Sequence, residues 1–240
     1  MNKSQKIEIL NKAKSFFRNN IAANHVKNTA KLKELKEFNI NPFLVTYLSN
    51  YLTGNHDPKS IAKALIYPRV LGTSINTSFG THVQKFCSEV LDGFGSVVAG
   101  IDIEFIDTID GRKKYCQIKA GPNTINKDDI DTIDQHFNTI KNLARTNNKP
   151  LQINDLIVGV LYGTNDELSS HYKVINKTYP VIPGQVFWHR LTGDSEFYFD
   201  LINSFGEVAI EADSTELLDD VINKLASNIS KNEIFDNLYD

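Results

Sequence analysis

The chain has 240 residues, 41% of them hydrophobic and 23% charged, a composition that excludes a disordered polymer and supports a sizeable core. A formal net charge of −3 argues against holding nucleic acid by bulk charge. The acids, however, crowd the end of the chain (Glu207, Glu211, Asp213, Glu216, Asp219, Asp220, Glu233, Asp236, Asp240), whereas Arg112, Lys113, Lys114 and Lys119 lie close together, so net charge decides little. Cys87 and Cys116 sit in apolar stretches without metal-ligand spacing, which excludes a disulfide framework and a zinc site.

In chain order, Lys6 to about Leu35 has helical spacing of its apolar residues (Ile9, Leu10, Ala13, Phe16, Phe17, then Ala22, Val26, Ala30) and predicts one or two amphipathic helices. Asn39-Ile40-Asn41-Pro42 breaks the pattern. Shorter helices are predicted near Phe43–Leu52 and, behind Asp57-Pro58, near Lys59–Ile66. Another is expected over Phe79–Leu91, ended by Asp92-Gly93-Phe94-Gly95. The period then becomes that of strands: Val97–Ile106 and Lys114–Lys119 flank Asp107–Lys113, whose Asp110-Gly111 pair favours a tight hairpin turn. Asn126 caps a helix with Asp128 and Asp129 in its first turn and Ile130, Ile133, Phe137, Ile140 and Ala144 on its apolar face. The continuous apolar run Leu156–Tyr162 reads as a strand covered on both faces, and His171–Ile175 as a further strand. Helices close the chain near Gln185–Leu191, Phe197–Ile210 and Ser214–Leu225.

The hairpin carries the candidate chemistry. With Asp110 and Gly111 as a two-residue turn, Ile109 pairs with Arg112, Asp102 faces Lys119 and Glu104 faces Gln117. Strand alternation puts these four polar groups on one face and sends Ile101, Ile103, Phe105, Cys116 and Ile118 into the core. Such a patch fits a cross-strand ion pair worth about 0.2–1 kcal/mol. It also fits phosphodiester hydrolysis, which needs a metal held by oxygen ligands and a cation near the nucleophile. Asp102 supplies an anionic ligand, Gln117 a neutral amide oxygen and Ile118 a backbone carbonyl, while Lys119 can orient the nucleophile or stabilise the pentavalent phosphorus.

The order acid, hairpin, X-X-Lys and helix resembles the PD-(D/E)XK nucleases, with Gln117-Ile118-Lys119 in place of (D/E)XK. Around it, Asn41-Pro42-Phe43, Tyr67-Pro68-Arg69-Val70-Leu71-Gly72, Lys119-Ala120-Gly121, Ile157–Gly163 and Phe187-Trp188 occur in an order that resembles type II restriction endonucleases cutting interrupted GGNCC-core sites. The resemblance runs from about residue 40 to 200. It implies Mg²⁺, for which Mn²⁺ can substitute, double-stranded DNA as substrate, 5′-phosphate ends and a homodimer in the bacterial cytoplasm. No membrane association is expected, because no apolar run reaches the length of a span and the opening residues are amphipathic.

The expected fold class is α/β, a mixed central sheet flanked by helices. Residues 1–75 are expected to form a helical, dimerising N-terminal region, and residues 76–240 the catalytic domain with a helical C-terminal part. Gln117 departs from the pattern, standing where Asp or Glu is usual. Glu104, or Glu89 from the preceding helix, is the candidate for the missing negative charge. Arg112, Lys113, Lys114, Asn123, Thr124, Asn126, Lys127, His189 and Arg190 are the candidate DNA contacts. A repair nuclease of the same fold and a catalytically silent DNA-binding protein are open alternatives at this point.

Overall fold

The computed structural model describes residues 1–212 and 215–232. The acids Asp213, Glu233, Asp236 and Asp240, and the expected start of the last helix at Ser214, lie outside the described residues. The helices are α1 (Lys3–Phe16), α2 (Ala23–Lys31), α3 (Pro42–Thr53), α4 (Pro58–Pro68), α5 (Ser74–Thr81), α6 (Val83–Val90), α7 (Lys127–Thr146), α8 (Ser170–Ile175), α9 (Gly184–Thr192), α10 (Phe197–Ala212) and α11 (Thr215–Ile229). The strands are β1 (Ile103–Ile106), β2 (Lys113–Lys119), β3 (Leu156–Val160) and β4 (Val181–Pro183). They form one mixed sheet in the order β1-β2-β3-β4, with the first pair antiparallel and the others parallel, as expected for the fold class.

Two compact units share the chain. One comprises Met1–Phe17 and Phe79–Glu207, the other Arg18–Ser78 and Val208–Asp240. The division thus differs from a single cut near residue 75: the first helix groups with the sheet, and the last segment with the helices that precede it in the chain.

In the sheet-bearing unit, side-chain alternation builds two layers. Leu156, Val158, Val160 and Val181 meet Ile133, Phe137 and Ile140 of α7 and Tyr172 and Ile175 of α8. On the opposite face Ile103, Phe105, Cys116, Ile118 and Ile157 are buried. There the missing side chain of Gly159 admits the Phe187 ring of α9, so closely that a Cβ would overlap it. Ile101 departs from its expected side and packs with the α7 cluster, because it precedes the paired part of β1.

Several elements differ from the sequence pattern. His171–Ile175 lies within a helix, α8, whose Tyr172 and Ile175 are buried one turn apart. The strand expected from Val97 begins only at Ile103, and Val97 is fully exposed. The helix expected over Phe79–Leu91 is divided at His82 into α5 and α6. β4 is three residues long and ends on Pro183, too brief to show an alternation.

In the helical unit, α3 and α4 start on matched signals: Asn41 and Asp57 cap the first turns and Pro42 and Pro58 follow at once. Gly54, at φ 79°, ends α3 in the left-handed conformation. Ile61, Ala62 and Ile66 of α4 pack with Val45 of α3 and with Val221, Ile222, Leu225 and Ile229 of α11.

Candidate active site

The hairpin register sets which polar groups meet. Ile103 pairs with Cys116 and Ile106 with Lys113, two residues out of step with the register expected from a two-residue turn. The connection is longer because two aspartates fold it. Asp107 Oδ1 accepts from Ile109 N–H at 2.9 Å, Asp110 Oδ1 accepts from Arg112 N–H at 2.9 Å, and Asp107 N–H closes the turn on the Arg112 carbonyl at 2.9 Å. Gly111 alone takes positive φ, so the type I′ turn that would need it at Asp110 as well does not form. A two-residue slip preserves alternation, so Glu104, Tyr115, Gln117 and Lys119 keep a common face.

Asp102 precedes the paired part of β1. Its own N–H donates to the Cys116 carbonyl at 3.0 Å, and its Oδ2 accepts from Ile118 N–H at 2.6 Å. The carboxylate thereby takes a β2 donor beyond the last pair of the ladder. Gln84 of α6 hydrogen-bonds the same carboxylate. Burial pushes the Asp102 pKa above the usual range, against the pull of the Ile118 N–H, Gln84, Lys119 and His136.

Lys119 does not pair with Asp102. Its Nζ lies 2.9 Å from Asp129 Oδ1, while Asp129 Oδ2 accepts from Asn126 N–H at 2.9 Å in the capping box of α7. Burial alone would raise the Asp129 pKa, but the Asn126 N–H, the Lys119 ammonium and His171 outweigh it and hold it low. Gln117 is 5% exposed, and its Nε2 sits 3.2 Å from His136 Nδ1 of α7. Gln84, Asp129 and His136 were missed by sequence reasoning. They come from helices, and only the capping position of Asp129 left a local signal.

The proposed second carboxylates have other partners. Glu104 is paired with Lys113 and accepts from the Ser96 hydroxyl, and Glu89 pairs with Lys85 one turn back on α6. Among the described residues no cluster of three or more His, Cys, Asp or Glu is placed to hold a metal. The oxygen donors near the open end of the hairpin are the Asp102 carboxylate, the Gln117 amide and the Ile118 carbonyl, with one anion among them, while Gln84 donates to that carboxylate. Donors of this chemistry are the hard oxygen type that Mg²⁺ takes, with one carboxylate where two would bind it more tightly.

The candidate DNA contacts separate by exposure. Lys114 is 0% exposed and reaches Asp110 at 2.6 Å, Asp155 at 3.4 Å and the Asn154 carbonyl at 3.0 Å, so its ammonium cannot meet a phosphate. Arg112 is bidentate on Asp155, and Arg190 holds the buried Asp107. Thr124 closes a turn on the Gly121 carbonyl at 2.8 Å, and Asn126 is the α7 cap. Lys113 lies 5.3 Å from the centre of the Tyr115 ring, and His189 is half-buried on α9. Asn123 and Lys127 are exposed at the start of α7, on the segment that also carries Asp129.

A family model described as the type II restriction endonuclease EcoO109I matches residues 11–213. No curated protein matches the chain.

Proposed function

Because the chain belongs to the family of the type II restriction endonuclease EcoO109I, and is therefore a site-specific deoxyribonuclease, we propose that it cuts both strands of duplex DNA in a Mg²⁺-dependent hydrolysis. What supports this reading is the Ile118 N–H bond to Asp102 Oδ2, which draws that carboxylate onto the β2 segment that also carries Gln117 and Lys119. Asp102, the Gln117 amide oxygen and the Ile118 carbonyl would hold the cation, and Gln84 steadies the Asp102 carboxylate. The chemistry that a Mg²⁺ ion, or Mn²⁺ in its place, would supply there is polarisation of the scissile phosphate and a more acidic attacking water.

Lys119 has three ammonium protons and gives one to Asp129, which leaves two for the phosphate oxygens on which negative charge builds. Asp129 keeps the long lysine chain in place. Water adds to phosphorus and the bond to O3′ breaks, giving a 5′-phosphate and a 3′-hydroxyl. The substrate is a short site with two-fold symmetry, of the interrupted GGNCC type that the sequence resemblance implies.

Cutting two symmetric strands with one site per chain calls for a C2 dimer. An apolar stripe on α3 supports it: Phe43, Tyr47 and Tyr51 are exposed in one row and Leu44, Leu48 and Leu52 beside it, with Phe43 at 87% and Tyr51 at 81%. A continuous exposed apolar surface of this kind marks an interface. The dimer packs this stripe against its copy.

Lys119→Ala is the direct test. The ion pair is partly exposed, so its loss costs about 1 kcal/mol or less of stability. Cleavage of plasmid DNA in Mg²⁺ should fall at least about 100-fold. Unchanged cleavage would remove Lys119 and this site from the reaction.

A further inference from the structure

We propose that His136 is a positioning residue for this nuclease, holding the Gln117 amide so that its carbonyl oxygen, not its nitrogen, is offered to the cation. The inference rests on the metal-site reading above and concerns how a neutral ligand can serve in it. A carboxylate has two equivalent oxygens and coordinates in either orientation. An amide has one oxygen, and a half-turn about its last torsion presents an NH₂ group that repels a cation. A site with Gln at this position needs a neighbour that tells nitrogen from oxygen.

His136 meets that need. The Gln117 Nε2 can only donate, so the 3.2 Å contact has His136 Nδ1 as its acceptor, the role open to that nitrogen in the tautomer with the ring proton on Nε2. In that tautomer the opposite amide orientation would point an acceptor oxygen at an acceptor nitrogen. Burial of Gln117 raises the cost of that alternative, because water does not take over the lost hydrogen bond.

The ring is itself fixed. Ile133, Phe137 and Ile140 anchor α7 on the sheet. The ring also fills the space over Gly100, where any Cβ would collide with it and where φ is +82°. Gly100 lies two residues before Asp102, so one ring shapes the approach to the carboxylate and orients the amide.

The test compares His136→Phe, which keeps a ring over Gly100 without an acceptor, with His136→Asn, whose Oδ1 stands near the place of Nδ1. Each is made alone and together with Gln117→Glu, in the full-length protein. Two quantities are read: Mn²⁺ binding by titration calorimetry, and the Mg²⁺ concentration giving half-maximal cleavage of plasmid DNA. His136→Phe should weaken both by about tenfold or more, as loss of a partner behind a metal ligand does. His136→Asn should recover most of that loss. With Gln117→Glu, whose two oxygens are equivalent, His136→Phe should change either quantity by no more than about twofold, a strong non-additivity.

An equal loss in both backgrounds, no loss with Gln117 present, or no recovery by Asn would overturn the proposal. If His136→Phe does not fold, His136→Leu replaces it under the same criteria. Asp102→Asn separates the two levels. If it leaves Mn²⁺ binding and cleavage intact, the metal-site reading falls. If it abolishes them while His136→Phe does not impair them, only the role of His136 falls.

Discussion

Lys114 carries a charge with none of its side chain exposed, and it is tolerable there because two aspartates and a carbonyl surround its ammonium. A lysine so placed contributes nothing to counterion release from DNA. The slope of log binding constant against log salt, measured with duplex DNA, should therefore stay unchanged in Lys114→Met, provided the variant folds. Lys127→Ala, at the exposed start of α7, should reduce the slope by about one unit if that lysine meets a phosphate. The reverse pattern would show that Lys114, and not Lys127, meets the DNA.

That Gln117 and Lys119 share one face of β2 was legible at this scale, since period-two alternation alone predicts it. Their partners were not. Gln84 and His136 stand on helices whose approach to the sheet is a matter of packing, and no spacing in the chain announces it. Lys114 misled for the converse reason: next to a turn, sequence gives no sign that Asp110 and Asp155 close over it.

Among elements, the hairpin is set by an ion network more than by its turn dipeptide. Asp107, Asp110 and Asp155 are paired with Arg112, Lys114 and Arg190 around the base of β2. For Asp155, burial acts to raise the pKa, but Arg112, the Gln152 N–H and Lys114 outweigh it and hold the carboxyl below its ordinary value. A depressed folded-state pKa gives stability that is present above the unfolded value, near 4, and is lost as the pH falls through the lower folded value. Urea unfolding across that acid range should show a steeper loss of stability in the wild-type protein than in Asp155→Asn. The variant should also be less stable at neutral pH, by about 1–3 kcal/mol, because Arg112 loses its bidentate carboxylate while Lys114 keeps Asp110 and the Asn154 carbonyl. Parallel acid limbs would contradict the network's role.

The turn was foreseen as a turn, and α7 with its Asn126 cap was readable from the cap, the first-turn acids and the helical period. The register was not, because Asp107 and Asp110 use their side chains to fold a longer connection. β4 and α8 escaped for want of length: three and six residues carry too little periodicity to separate strand from helix.

For the whole molecule, the mixed sheet with flanking helices followed from the alternation of strand and helical periods, whereas the division into two units did not. Contacts bring segments distant in the chain into each unit, and hydrophobic spacing says which face of a helix is buried without saying against what. The stripe on α3 is the clearest surface consequence. Replacing Tyr47 and Tyr51 by glutamate should convert a dimer to a monomer in sedimentation analysis and leave helical content unchanged, since both side chains are exposed. A dimer that survives both changes would place the interface elsewhere.

The most direct measurement is digestion of a long DNA of known sequence with Mg²⁺, with both strands of every fragment end mapped, for the wild-type protein and Asp102→Asn. The account predicts ends at one recurring short palindrome, each carrying a 5′-phosphate, and none with Asp102→Asn. Ends scattered over unrelated sequences, or the same ends from the Asp102→Asn protein, would contradict it.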